Sequence, residues 1–331
     1  ATGPCKAVSL ISGERIELVK NNNYWNGKPK IDRIIVRTIK DGDTMTMALQ
    51  SGEIDAAYGM PYASYPLFKN EKFKFTSVPT SRAFFLWMNF KDKTIQDPAV
   101  RKAIAMGLNK EVFVKKLLNG NGYPATGVFP DTFDFGNKTV STEKYDPEGA
   151  RRILDQAGWK IGSNGIREKD GKKLVIRWLT YPSRQELPLL AEYAQSALKQ
   201  IGISVEINNT ADHNKVIKDP NAWNVYASAM ITAPTGDPEY FFTYATLDSS
   251  SSNKGYYHSN KLEELAKKMS NTFDQKERKR LAIQMQQTIL NDNAYVFVSH
   301  LRMSMISKSN VTGLVAHPSD FYEITVNLDI N

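Results

Sequence analysis

Gly13–Met60 reads GERIELVKNNNYWNGKPKIDRIIVRTIKDGDTMTMALQSGEIDAAYGM. Ile16 and Leu18, then Ile34, Val36 and Ile39, alternate with polar residues, which predicts two half-buried strands. Asn21–Asn23, Asn26–Gly27 and Pro29 between them carry turn chemistry. Thr44–Gln50 predicts a short helix, with Asp41 or Asp43 as its N-cap and Gly52 as its stop. Ile54–Tyr58 returns to extended chain. The stretch holds no catalytic constellation and reads as scaffold around which a second lobe is inserted.

The chain has 331 residues, 41% hydrophobic and 24% charged, enough for an ordinary globular core in one to three domains. No run approaches the ~18 apolar residues of a membrane-spanning helix, and Ala1–Cys5 contains no apolar signal core. The net charge of +8 is spread along the chain and mixed with acids, as in Glu277–Arg280. That is a solvated basic surface and not a nucleic-acid footprint. A single cysteine, Cys5, excludes an internal disulfide framework, and its near-absence from the chain is compatible with export.

Phe73–Val78 predicts a strand before Pro79, and the dense apolar run Phe84–Asn89 a buried one. Asp97–Pro98 and Asp146–Pro147 are cap-plus-proline starts for helices over 97–109 and 146–157, with Lys110–Leu118 as another helix. Gly120–Thr142 is a long loop, either functional or packed by its own side chains. A charged hairpin at 166–173 leads to strand Leu174–Thr180, amphipathic helix Glu186–Ile201 capped by Gly202, and strand Ile203–Ile207, a right-handed crossover and hence a mixed α/β sheet. Trp223–Ile231 is a strand broken by Ala233–Pro238. Helices follow over 239–247, 260–273 and 274–291, then strands Ala294–Ser299 and Met303–Ile306. In the tail, Phe321, Ile324, Val326 and Leu328 alternate as a strand would.

The string ERIELVKNNNYWNGKPKIDRI…ALQSGEIDAAYGMP resembles the peptide/nickel family of extracytoplasmic solute-binding proteins that feed ABC importers, family 5. Agreement continues through Asp97–Ile104 and over nearly the whole chain. The resemblance implies an α/β, two-lobed periplasmic-binding-protein-like fold, type II and cluster C-like, with mixed sheets. It places lobe I at 1–80, lobe II at 81–305 and the return to lobe I at 306–331. Chains of the family begin further upstream, so lobe I is expected to be incomplete.

Candidate chemistry is sparse. His213, His258, His300 and His317 are unpaired in sequence, and no Cys-x-x-Cys exists, so no protein-only metal cage is expected. His258, after Tyr256–Tyr257, is the candidate to complete a metal whose other ligands come from a chelator. Hydrolase and phosphate-loop signatures are absent, and no enzyme is predicted. Phe84, Phe85 and Trp87 read as core. Tyr240, Tyr244, Tyr256 and Tyr257 read equally as core or as a cleft that grips a ligand by stacking. Arg82, where the chain would cross between lobes, suits an anionic group or is a surface arginine.

In the resemblance, peptide binders carry an Asp for the peptide ammonium where this chain has Pro234, and a Trp and an Arg where it has Ile231 and Ser228. Nickel-type members lack that Asp and are similar to this chain at Gly165–Gly171 and Val296–His300. Thr232, however, stands where they often have Trp, and Ser250 matches their cleft His. The expected ligand is therefore a nickel or other metal chelate, with a short peptide as the alternative, a transported solute and not an intrinsic cofactor. Arg82, Thr232, Thr235, Asp237, Tyr240, Tyr244, Tyr256 and Tyr257 are the candidate ligand contacts and His258 the candidate metal ligand. ABC permease subunits are the expected partners of an extracytoplasmic monomer, periplasmic or lipid-anchored. A sensor receptor or an adhesion module are the readings from another class.

Overall fold

The computed structural model describes residues 2–318 and 322–331. They form two compact units, Ala1–Thr80 with Arg302–Asn331, and Ser81–Leu301. The chain passes between them within two long strands, Phe73–Met88 and Tyr295–Lys308.

In the first unit, Cys5–Ile11, Arg15–Lys20 and Arg33–Arg37 form an antiparallel sheet in that order. The Asn21 turn is built from its side chain, which donates to Gly3 O at 2.9 Å and accepts from Asn23 N at 3.2 Å. Ile16, Leu18 and Ile34 are half-buried as predicted, whereas Val36 is 42% exposed and Ile39 falls beyond the strand. Helix Gly42–Ser51 starts on Asp41, whose carboxylate accepts from Thr44 N at 2.7 Å, and stops on left-handed Gly52. Its Leu49 packs with Ala57, Met60, Tyr65, Phe68 and Ile306 in the unit's small core.

In the second unit the strand order is Ser204–Asn209, Val175–Thr180, Val225–Ile231, Phe73–Met88, Tyr295–Lys308. Val175–Thr180 runs parallel to both Ser204–Asn209 and Val225–Ile231. Helix Glu186–Lys199 makes the crossover between the first two, as parallel pairing requires. Val225–Ile231 pairs antiparallel with Arg82–Met88. Phe85 stacks on Phe297 at 5.2 Å and meets Phe241 edge-on at 5.8 Å, within a core shared with Trp87, Trp223 and Tyr295.

Several elements differ from expectation. The strands expected over Phe73–Val78 and Phe84–Asn89 are one, Phe73–Met88: Pro79 precedes the ladder to Val225–Ile231, which begins at Arg82, so no bond to that strand needs its missing N–H. Likewise the strands expected over 294–299 and 303–306 are one, Tyr295–Lys308. Lys110–Leu118 changes after Val112 from α to a wider turn closed by Leu118 N to Phe113 O at 3.1 Å. The long loop after Gly120 holds itself together through Phe129, Phe133 and Phe135. In the tail, among the described residues, Asp329–Ile330 alone is strand. The Thr325 hydroxyl and carbonyl accept from Asn327 N and Leu328 N, making a turn where alternation suggested extension, and Phe321 lies outside the described residues.

Candidate functional site

The candidate residues fall on the segment that leaves strand Val225–Ile231 and on the loops packed beside it, all within Ser81–Leu301. Ile231 is the last rung, opposite Arg82, which is itself buried. Thr232 is fully buried. Its hydroxyl reaches Ser81 O and Val128 O, both at 3.0 Å, and its amide donates to Ser81 O at 2.9 Å. This side chain ties the strand end to two neighbouring segments. Left-handed Gly236 then lets the backbone turn back, with its N–H on Ala233 O at 3.1 Å. Thr235 is exposed on the outside of that turn.

Asp237 accepts from Glu239 N at 2.8 Å and so opens the short helix Glu239–Ala245. Its carboxylate is also gripped by Arg278 at 2.7 and 2.8 Å. Arg278 reaches Glu239 at 2.8 Å as well, and Met269 O and Thr272 O at 2.9 Å each. The carboxylate is thus committed to a network joining three helices' ends. One helical turn apart, Tyr240 and Tyr244 stack at 5.7 Å with an interplanar angle of 14°, each 40% exposed, while Phe241 and Phe242 enter the core.

The Ser-rich loop beyond is pinned rather than loose. Asn253 donates to Thr246 O and to Tyr257 O at 3.2 and 2.8 Å. Gly255 O accepts from Phe90 N at 2.8 Å, and a Cβ on Gly255 would lie 2.7 Å from Met88 O. Tyr256 adopts a left-handed backbone, and the Lys91 ammonium sits 4.0 Å from its ring centre. Tyr257 is buried and donates to Asp292 at 2.5 Å; burial first, and then the Asp292 carboxylate, push its phenol well up. His258 Nδ1 is 2.6 Å from the Asp248 carboxylate, with both side chains more than half exposed. Among the described residues no three metal-ligating side chains gather, so His258 and Asp248 supply two donors at most.

The structure thus brings Tyr240 and Tyr244 together, places Thr235 at the surface nearby in sequence, and sets Thr232, Asp237 and Tyr257 as framework. Sequence reasoning missed Tyr181, His213, Tyr226 and Lys254. Tyr181 and His213 stack at 4.2 Å, Tyr226 lies 6.2 Å from Tyr181, and the Lys254 ammonium is 5.4 Å from the Tyr226 ring centre. Their positions span more than seventy residues of chain, and no local pattern links them.

Two compact units, with the chain passing from one to the other within two long strands, agree with the fold of two-lobed solute-binding proteins. Residues 1–253 match the family Bacterial extracellular solute-binding proteins, family 5 Middle, and the chain belongs to that family. It is 25% identical over 324 residues to the nickel-binding protein NikA of Staphylococcus aureus, covering 98% of this chain and 64% of that protein. It is 26% identical over 338 residues to the oligopeptide-binding protein AppA of Bacillus subtilis, covering 98% and 61%. The chain therefore spans about three fifths of the length of these curated relatives. Among solved structures, NikA of S. aureus in complex with Ni(L-His)2 aligns with TM-score 0.87 and 25% identity, covering 100% of this chain and 69% of that one. NikZ of Campylobacter jejuni with Ni(L-His) aligns with TM-score 0.88 and 25% identity, covering 99% and 68%. Among the described residues no helix is long and apolar enough to cross a membrane.

Proposed function

We propose that this chain is the larger part of the substrate-binding component of an ABC importer. It captures a small extracytoplasmic solute and passes it unchanged to the permease membrane subunits. It is not an enzyme, carries no resident cofactor, binds no nucleic acid and acts as a monomer, in the periplasm or lipid-anchored on the outer face of the cytoplasmic membrane. The observation that carries this reading is the family match over residues 1–253. The two units are read as parts of the two lobes, which close on the ligand by hinge motion.

The preferred solute is a nickel or other metal chelate, with a short peptide as the alternative. Two features support that order. Pro234 stands where peptide binders of the family carry the Asp for an α-ammonium, and burying an ammonium without a counter-charge is costly. Also, one accessible imidazole, His258, suits a metal that arrives with its other ligands already in place. Thr235, Tyr240, Tyr244 and Tyr256 are assigned as ligand contacts, and Arg82, Thr232, Asp237 and Tyr257 as the frame that holds them.

Thermal melting of the full-length protein tests the proposal, because a ligand that binds the folded state raises the melting temperature with occupancy. Nickel plus histidine is expected to raise it, and nickel alone to raise it less. A response to di- to pentapeptides but not to the chelate overturns the nickel assignment. No response to any of them overturns the importer reading in favour of an adhesion module.

A further inference from the structure

Lys254 is a partly buried ammonium on an aromatic floor, and among the described residues no carboxylate is paired with it. Its Nζ lies 5.4 Å from the Tyr226 ring centre. It is within electrostatic range of His213 and of the Tyr244 phenol. Tyr226 in turn faces His213, at 6.0 Å and nearly parallel, and His213 stacks on Tyr181. On the outer side, the Tyr240–Tyr244 pair offers ring surface to solvent. The result is one patch of the second unit in which Lys254 lies by the Tyr226 and Tyr244 rings, while Arg184, Arg82 and Glu186 lie within electrostatic range of Tyr181 at its other end.

The cation is held there by construction. The Lys254 amide donates to Ser252 O at 2.9 Å, and the next residue, Gly255, is clamped against the strand at Met88. Desolvation pulls the ammonium below its ordinary range, and burial, with the Lys254 charge adding to it, lowers the His213 imidazole as well. Withdrawing a charge from water without a partner is unfavourable, and a structure that positions such a charge gains most from an incoming anion. Planar aromatic neighbours favour a flat group, since ring faces contribute by stacking.

We infer that Lys254, with Tyr226, Tyr240 and Tyr244, forms a subsite for the carboxylate of a planar, carboxylate-bearing ligand. The shared chemistry covers a carboxylate of an organic chelator and the C-terminus of a peptide. The inference deepens the proposed function and rests on it for biological meaning, but its first test does not need it.

Saturation-transfer NMR with benzoate and with benzamide, on the wild-type chain, Lys254→Met, Lys254→Gln and Lys254→Arg, decides the matter. Benzoate is expected to show transfer with the wild type and Lys254→Arg and to lose most of it with both neutral variants, while benzamide is the same throughout. Absence of benzoate transfer in the wild type, or equal transfer in the neutral variants, overturns the subsite. Near-UV circular dichroism confirms that the variants keep their tertiary packing.

In the full-length protein, Lys254→Met is then titrated with nickel–histidine and with a tetrapeptide bearing either a free or an amidated C-terminus. A loss of at least about tenfold, roughly 1.4 kcal/mol, is expected for whichever carboxylate ligand the wild type takes, and none for the amidated peptide. An unchanged affinity for that ligand overturns the assignment of Lys254 to transport. If the full-length wild type binds neither ligand, the importer reading fails, and the benzoate comparison alone settles the subsite.

Discussion

His300 shows how one buried side chain sets a pH limit on the molecule. Its imidazole is fully buried, with Nε2 3.3 Å from Asn137 Oδ1. Burial, aided by the charge of Lys110, pushes its pKa down from 6.5 to about 3. Below pH 6.5 the unfolded chain binds a proton there and the folded chain does not. The contribution is therefore complete above pH 6.5 and is lost as pH falls towards 3. At roughly 1.4 kcal/mol per pH unit, the chain should lose about 2 kcal/mol between pH 6.5 and 5 through this group. Urea unfolding followed by tryptophan fluorescence should show this slope, and His300→Gln should flatten it. An identical pH dependence in the variant would remove His300 as the cause. Thr232 is a second such residue. Thr232→Val keeps the shape but strips the donor from Val128 O, at an expected cost of about 1–2 kcal/mol, with the Tyr240–Tyr244 surface left in place.

At the scale of elements, single side chains join pieces that are distant in sequence. Asp97 accepts from Ala99 N at 2.9 Å, so it caps helix Pro98–Gly107, and it also receives Trp159 Nε1 at 3.0 Å and the Lys169 ammonium at 3.4 Å. Asp97→Ala removes the cap and leaves the indole N–H without its partner. A loss of about 2–3 kcal/mol is expected, against about 1 kcal/mol if capping were the whole role. Chemical denaturation of Asp97→Ala beside Trp159→Phe separates the two. The cap was legible in the sequence because Asp-Pro at a helix start is a local signal. The indole contact was not, because it depends on how the segment after helix Pro147–Gln156 returns to the first turn of another helix. Pro79 shows the converse: local chemistry argued for a break, and the position of the ladder made the break unnecessary.

For the molecule as a whole, the two units differ in how their sheets are covered. Strand Cys5–Ile11 leaves Val8 59% and Leu10 71% exposed, whereas in Val225–Ile231 the first four residues are buried. Local opening is easiest where few apolar contacts cover the backbone. Hydrogen exchange of this chain should therefore protect amides of Val225–Ile231 at least about a hundredfold more than those of Cys5–Ile11. Equal protection would mean that the three-stranded sheet has a stability its burial does not explain.

The sequence by itself determined the family, the α/β class, the helix starts at Asp97 and Asp146, a helix start at Asp41 or Asp43 between which the structure chose Asp41, and the crossover helix from Glu186. These follow from short-range periodicity and capping chemistry, or from strings long enough to be specific. Only the tertiary structure decided which candidate side chains are frame and which are surface: Asp237 held by Arg278, Thr232 sealed behind Ser81 and Val128, Tyr240 and Tyr244 left open beside Lys254. The physical reason is that burial and hydrogen-bond partnership are properties of contacts between distant segments, and no residue carries them in its own local pattern.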